Sequence, residues 1–141
     1  HYKVTNMIIN MLTEKDYCDY DTCVALREVG CRIQTEWYIH QPSYEKGSCY
    51  LCFGIPQETS VLDECDYIPR FSLYEAQKWL REEKGIGITI FHNYYCDTRE
   101  MYYQVELYNT KHHLKTFGEF SDWTQAIAEG IKEAVKILKE E

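Results

Sequence analysis

The chain has 141 residues, 45% of them hydrophobic, with 15 Lys/Arg against 23 Asp/Glu and a formal net charge of −8. This is the size of one ordinary domain with room for a core. The acidic balance makes the chain a poor generic ligand for nucleic acid, whose phosphates are bound by Lys and Arg displacing counterions.

In chain order, Val4, Met7, Ile8, Met11 and Leu12 recur at i, i+3, i+4, i+7 and i+8 and predict a helix. Asp21 or Thr22 can cap a second, short helix over 23–29, with Gly30 as its stop. Ile33, Thr35, Trp37 and Ile39 alternate within 32–39 and predict a strand. A turn over 42–47 leads to a second strand at 48–53, completing a hairpin. Residues 54–70, with Gly54, Pro56 and Pro69 among scattered acids, read as a long loop.

Ser72 and Glu75 form a capping box opening a helix that runs to Lys84, where Gly85 ends it; Leu73, Ala76 and Leu80 face inward. Three antiparallel strands follow at 87–95, 101–108 and 115–119. Ser121 or Asp122 caps a last helix to Lys139 with Trp123, Ile127, Ile131, Ala134 and Leu138 as its buried stripe. Gly130 beside that stripe implies close approach to the sheet. The expected fold is α+β, an antiparallel sheet packed on two main helices. It forms a single domain over 1–141: an acidic helical segment plus hairpin (1–69), then an α-β-β-β-α unit (70–141).

Seven cysteines, an odd number, with no signal-peptide-like run at the start, point to reduced thiols in the cytoplasm. No apolar stretch is long enough to span a membrane.

The α-β-β-β-α order over 72–139 resembles a double-stranded RNA-binding domain. That family grips phosphates with lysines at the start of its last helix; here the turn reads Ser121-Asp122-Trp123-Thr124-Gln125, so no nucleic-acid partner is expected. The strands followed by Phe120-Ser121 and a Glu/Ala/Ile helix also resemble small antitoxins of the HicB type. The helix Leu73-Tyr74-Glu75-Ala76-Gln77-Lys78-Trp79-Leu80-Arg81-Glu82, the segment 126–134, and Thr22-Cys23 to Gly30 are similar to small proteins of phages and prophages of gut Bacteroidales. That resemblance covers about two-thirds of the chain. It implies an accessory protein acting on a host pathway, including defence systems, and carries over no catalytic residue.

Cys49-Tyr50-Leu51-Cys52 is the one chemical motif. Zinc would need a second pair of ligands, from Cys65, Cys96, His92 or His112/His113, and no standard spacing supplies one. On a strand, Cys49 and Cys52 would also point to opposite faces. Cys96, His92 and Asp97 are sequence neighbours, which does not make a triad. Asp16, Asp19 and Asp21 resemble a calcium loop, but Asp21 replaces the mid-loop glycine and Arg27 the closing glutamate. Gly85-Ile86-Gly87 lacks the length and lysine of a phosphate loop. No cofactor and no enzymatic activity are expected.

Tyrosine stands out, with 13 copies. It suits half-wet strands and interfaces alike. Trp37, Tyr38, Tyr94, Tyr95, Tyr102 and Tyr103 are the expected binding surface for a protein partner. The alternatives are a nucleotide-like ligand held by aromatics between sheet and helix, then a zinc-stabilised or enzymatic domain. Self-association into a homodimer through strand edges is a further expectation.

Overall fold

A computed structural model describes residues 14–40, 50–53 and 67–141, with Tyr50 and Cys52 as backbone only. The predicted helix at 4–12, the turn at 42–47, Cys49, Cys65 and residues 54–66 lie outside the described residues. The fold is α+β.

A single 3-10 turn, Glu14–Asp16, precedes helix α1, Tyr20–Glu28. Asp19, not Asp21 or Thr22, caps α1: its extended backbone lets Oδ1 accept the Thr22 amide at 2.8 Å. Asp21 and Thr22 already lie inside the first turn. Gly30 ends the helix as expected. Its φ of +105° lets Gly30 N–H reach Arg27 O and Cys31 N–H reach Leu26 O, the paired bonds of a Schellman stop.

Strand β1 is Trp37–His40, shorter than the predicted 32–39. The preceding side chains bind backbone instead of extending the ladder. Arg32 Nη1 donates to Arg27 O at 2.6 Å and Thr35 Oγ1 donates to Trp37 O at 2.6 Å. Strand β2, Tyr50–Phe53, pairs antiparallel with β1, which is the expected hairpin.

On the other side of β1 lies strand β3, Tyr67–Pro69, inside the stretch read as loop. Pro69 hid it, because proline is tolerated only at a sheet edge, and this is an edge. Arg27 Nη1 donates to Tyr67 O at 3.0 Å, tying α1 to this strand.

Helix α2, Leu73–Lys84, has the predicted capping box in both directions: Glu75 N–H to Ser72 Oγ at 3.0 Å, and Ser72 N–H to Glu75 Oε1 at 2.9 Å. Strands β4 (Gly87–Tyr94), β5 (Met101–Tyr108) and β6 (His113–Phe120) form a second antiparallel sheet in that order. Helix α3, Trp123–Lys139, closes the chain from its Asp122 cap. The second half therefore has the α-β-β-β-α order read from the sequence.

One apolar core serves both sheets. Leu26, Ile68 and Phe71 from the first half meet Leu80, Val105, Leu107, Ile127 and Ile131 from the second. Cys18 N–H donates to Phe71 O at 2.9 Å, and Tyr17 bridges Ser72. The α3 stripe needs one correction: Trp123 is 50% exposed. It stands at the first helical position, and burial begins a turn later at Ala126 and Ile127. Gly130 does lie against the sheet, since a Cβ there would sit 3.0 Å from Ile88 Cγ2 and 3.1 Å from Val105 Cγ1.

Candidate interaction surface

The second sheet has two unlike faces, set by strand alternation. Ile88 pairs with Leu107 and Ile90 with Val105, and these side chains pack into the core beneath α3. His92, Tyr94, Met101 and Tyr103 continue that face outward. The intervening residues, Thr89, Phe91 and Asn93 on β4 and Tyr102, Gln104, Glu106 and Tyr108 on β5, point the other way. On β6, Thr116 pairs with Glu106 and His113 with Tyr108. None of these outward residues belongs to the core.

Four of the six expected aromatics lie on or beside this sheet, on both of its faces. Tyr95, just past β4, stacks on Tyr102 with ring centroids 4.7 Å apart. Its hydroxyl donates to Glu119 Oε2 at 2.6 Å, so this cluster belongs to the outward face. Tyr103 stacks on His92 at 4.7 Å on the α3 side. Tyr94, 60% exposed, pairs with Met101 beyond the packed part of that side.

The other two lie in the first sheet. Trp37 is half-buried, edge-on to Phe53 at 5.3 Å. Tyr38 is buried at 5% exposure and is not part of any open surface. Its neighbour Ile39 is buried too, although the two point to opposite faces of the strand. The six therefore do not form one patch.

Phe91 and Tyr108, 42% and 40% exposed, belong to the outward face and were missing from the sequence-based set. The signal was available. Val105 and Leu107 mark the inward register of β5, which sends Tyr102 and Tyr108 outward and, through pairing, Phe91 with them. Tyr108 lies across Gly87, where any Cβ would collide with its ring.

The outward face is aromatic and acidic. Glu106 and Glu119 project from it, and its strands contribute no Lys or Arg there. Lys115 of β6 turns to the other side, 2.8 Å from Glu133 of α3. The hydrogen bond to Glu119 pushes the Tyr95 hydroxyl up to about 12, because an ionised phenolate would face a carboxylate.

No protein-family model matches the chain, and no curated protein or solved structure matches it.

Among the described residues, no three His, Cys, Asp or Glu side chains are placed to hold a metal ion. Cys49 and Cys65 lie outside the described residues, and Cys52 contributes only its strand position, opposite Tyr38. Cys18, Cys23 and Cys31 are buried free thiols and Cys96 is an exposed one. Cys18 is pushed up by its hydrogen bond with Cys23 and by burial, and burial pushes Cys31 up to about 11. The contact with Cys18 lowers Cys23 instead, but its side chain is fully enclosed, and an enclosed thiol is a poor nucleophile.

A cavity of about 240 Å³ lies where the 3-10 turn meets the starts of α1 and α3. Tyr17, Leu73, Ala128 and Lys132 line it, and none of the six aromatics does. It is not the sheet-helix pocket expected for a stacked ligand. No helix among the described residues is long and apolar enough to cross a membrane.

Proposed function

We propose that this chain is a non-catalytic binding protein that contacts a protein partner through the outward face of the β4-β5-β6 sheet. The observation that carries this reading is the company kept on that face. Phe91, Tyr95, Tyr102 and Tyr108 sit among Glu106 and Glu119 with no basic side chain from the same strands. Rigid aromatic rings supply contact area at low entropic cost and anchor interfaces. Two carboxylates of like charge favour a partner surface bearing Arg or Lys, whose cations also stack on tyrosine. A phage or prophage origin, as implied by the likeness of the Leu73–Glu82 helix, would place the partner in the host cytoplasm, with defence factors among the candidates.

The test compares capture from host lysate by the unaltered chain and by three variants. Tyr102→Ala and Glu119→Lys alter the face, while Tyr74→Ala removes a 68%-exposed tyrosine on α2. The reading expects one protein in equimolar amount with the unaltered chain and Tyr74→Ala. With the two face variants, affinity should fall by about 30-fold, the size of a typical hot-spot loss. Equal capture by all four would exclude this face.

A further inference from the structure

We infer that two copies of this chain join edge to edge through β4, antiparallel about a two-fold axis, forming one six-stranded sheet. This inference does not depend on the partner reading above.

The two edges of the second sheet differ. On β6, the register with β5 breaks between Tyr103 and Val105 and again between Leu107 and Tyr108. Gly118 there has φ +89°, and Lys115 and Glu119 add charge. Bulges and charges of this kind keep another strand from adding. β4 has none of them. Its register with β5 runs unbroken through eight pairs, Gly87↔Tyr108 to Tyr94↔Met101. Its sequence, GITIFHNY, contains no proline and no Asp, Glu, Lys or Arg.

Backbone geometry states which groups are open. Tyr95 N–H donates to Glu100 O, so odd-numbered β4 residues exchange bonds with β5. The amides and carbonyls of Ile88, Ile90, His92 and Tyr94 therefore point away from the sheet, a row of four donors and four acceptors with which no strand among the described residues pairs. Another β-strand completes such a row.

A second copy fits that edge because β4 is neutral and complementary to itself. Each chain carries −8, so two copies repel unless they meet along a neutral segment, and β4 is one. Pairing about Phe91 aligns the open rows. It sets Ile90 against the second copy's His92, Ile88 against its Tyr94, and Thr89 against its Asn93. No charged side chains are opposed. Gly87 then faces Tyr95 of the other copy, repeating the Gly87–Tyr108 match within each sheet. The two outward faces become continuous, with both Phe91 rings at the centre.

Sedimentation equilibrium of the full chain tests this. The expected mass is twice 16.9 kDa at micromolar concentration and above. Phe91→Lys, which sets two ammonium groups at the axis from an outward position, should give a monomer. Thr116→Lys on β6 should remain a dimer. A monomeric unaltered chain, a dimeric Phe91→Lys, or a monomeric Thr116→Lys would each overturn the inference. Hydrogen exchange on the unaltered chain serves as a second measurement if Phe91→Lys fails to fold. The amides of Ile88, Ile90, His92 and Tyr94 should be protected at high concentration and lose protection on dilution. Concentration-independent exchange at those four would also overturn it.

Discussion

The hydroxyl of Tyr95 donates to Glu119 Oε2 at 2.6 Å, linking the end of β4 to the far strand β6 across the face of β5. The bond needs a protonated phenol, so it closes the aromatic cluster until Tyr95 ionises.

The hydrogen bond to Glu119 raises Tyr95 to about 12, above the usual tyrosine value of about 10. The contact is therefore fully present below the ordinary value and is lost as pH rises through the raised one. In Glu119→Gln, Tyr95 should titrate close to its ordinary value. NMR of ring-labelled tyrosine resolves it from the other twelve; an unchanged midpoint would show that the bond is not formed in solution.

Asp19 joins two helices, accepting the Thr22 amide at the start of α1 and lying 3.0 Å from Lys132 Nζ on α3. Burial pushes its carboxyl up, but the hydrogen bonds from Thr22 and the Lys132 ammonium outweigh that and hold it below the usual range. Asp19→Ala should destabilise by about 1 kcal/mol through the lost cap. Asp19→Asn, which keeps a capping oxygen, should lose less. The carboxylate's contribution is present above the unfolded value of about 3.9 and disappears as pH falls through the depressed folded value. Urea unfolding at pH 7 and pH 3 checks both; the Asp19→Asn deficit should be smaller at the lower pH.

Gly130 sets the distance of α3 from the sheet. Gly130→Val would press two methyl groups toward Ile88 and the fully buried Val105, at a cost of about 1–3 kcal/mol. Gly130→Ala should be milder, because the helix gains about 1 kcal/mol of propensity against the crowding. Thermal unfolding should rank the unaltered chain and Ala above Val. Val ranking with them would mean the helix rests further from the sheet.

Thiol reactivity should divide the four cysteines whose side chains are described. Cys96 is exposed, whereas Cys18, Cys23 and Cys31 are 5%, 0% and 0% exposed. An alkylating reagent at pH 8 should modify Cys96 within minutes and reach the other three only through unfolding. Peptide mass mapping reads the order, and early modification of Cys31 would contradict its enclosure.

What the sequence determined by itself was set by interactions a few residues long. Ser72 and Glu75 are three apart, Gly30 and Gly85 act on the turn before them, and the alternation of β4 and β5 is written residue by residue. Those elements match the structure, as does the approach of Gly130 to the sheet. Tertiary structure decided whatever depends on neighbours distant in the chain. β1 is covered on both faces, so Tyr38 and Ile39 are buried together and a two-residue period fails there. β3 exists because β1 offers an edge to Tyr67–Pro69, three residues ending in proline that are too short to declare a strand alone. Asp19 caps α1 by a local bond, but only the tertiary structure brings Lys132 of α3 to its second oxygen. The aromatics split between two sheets and two faces for the same reason: side-chain direction is local, but which face is covered depends on where a helix seventeen residues long comes to rest.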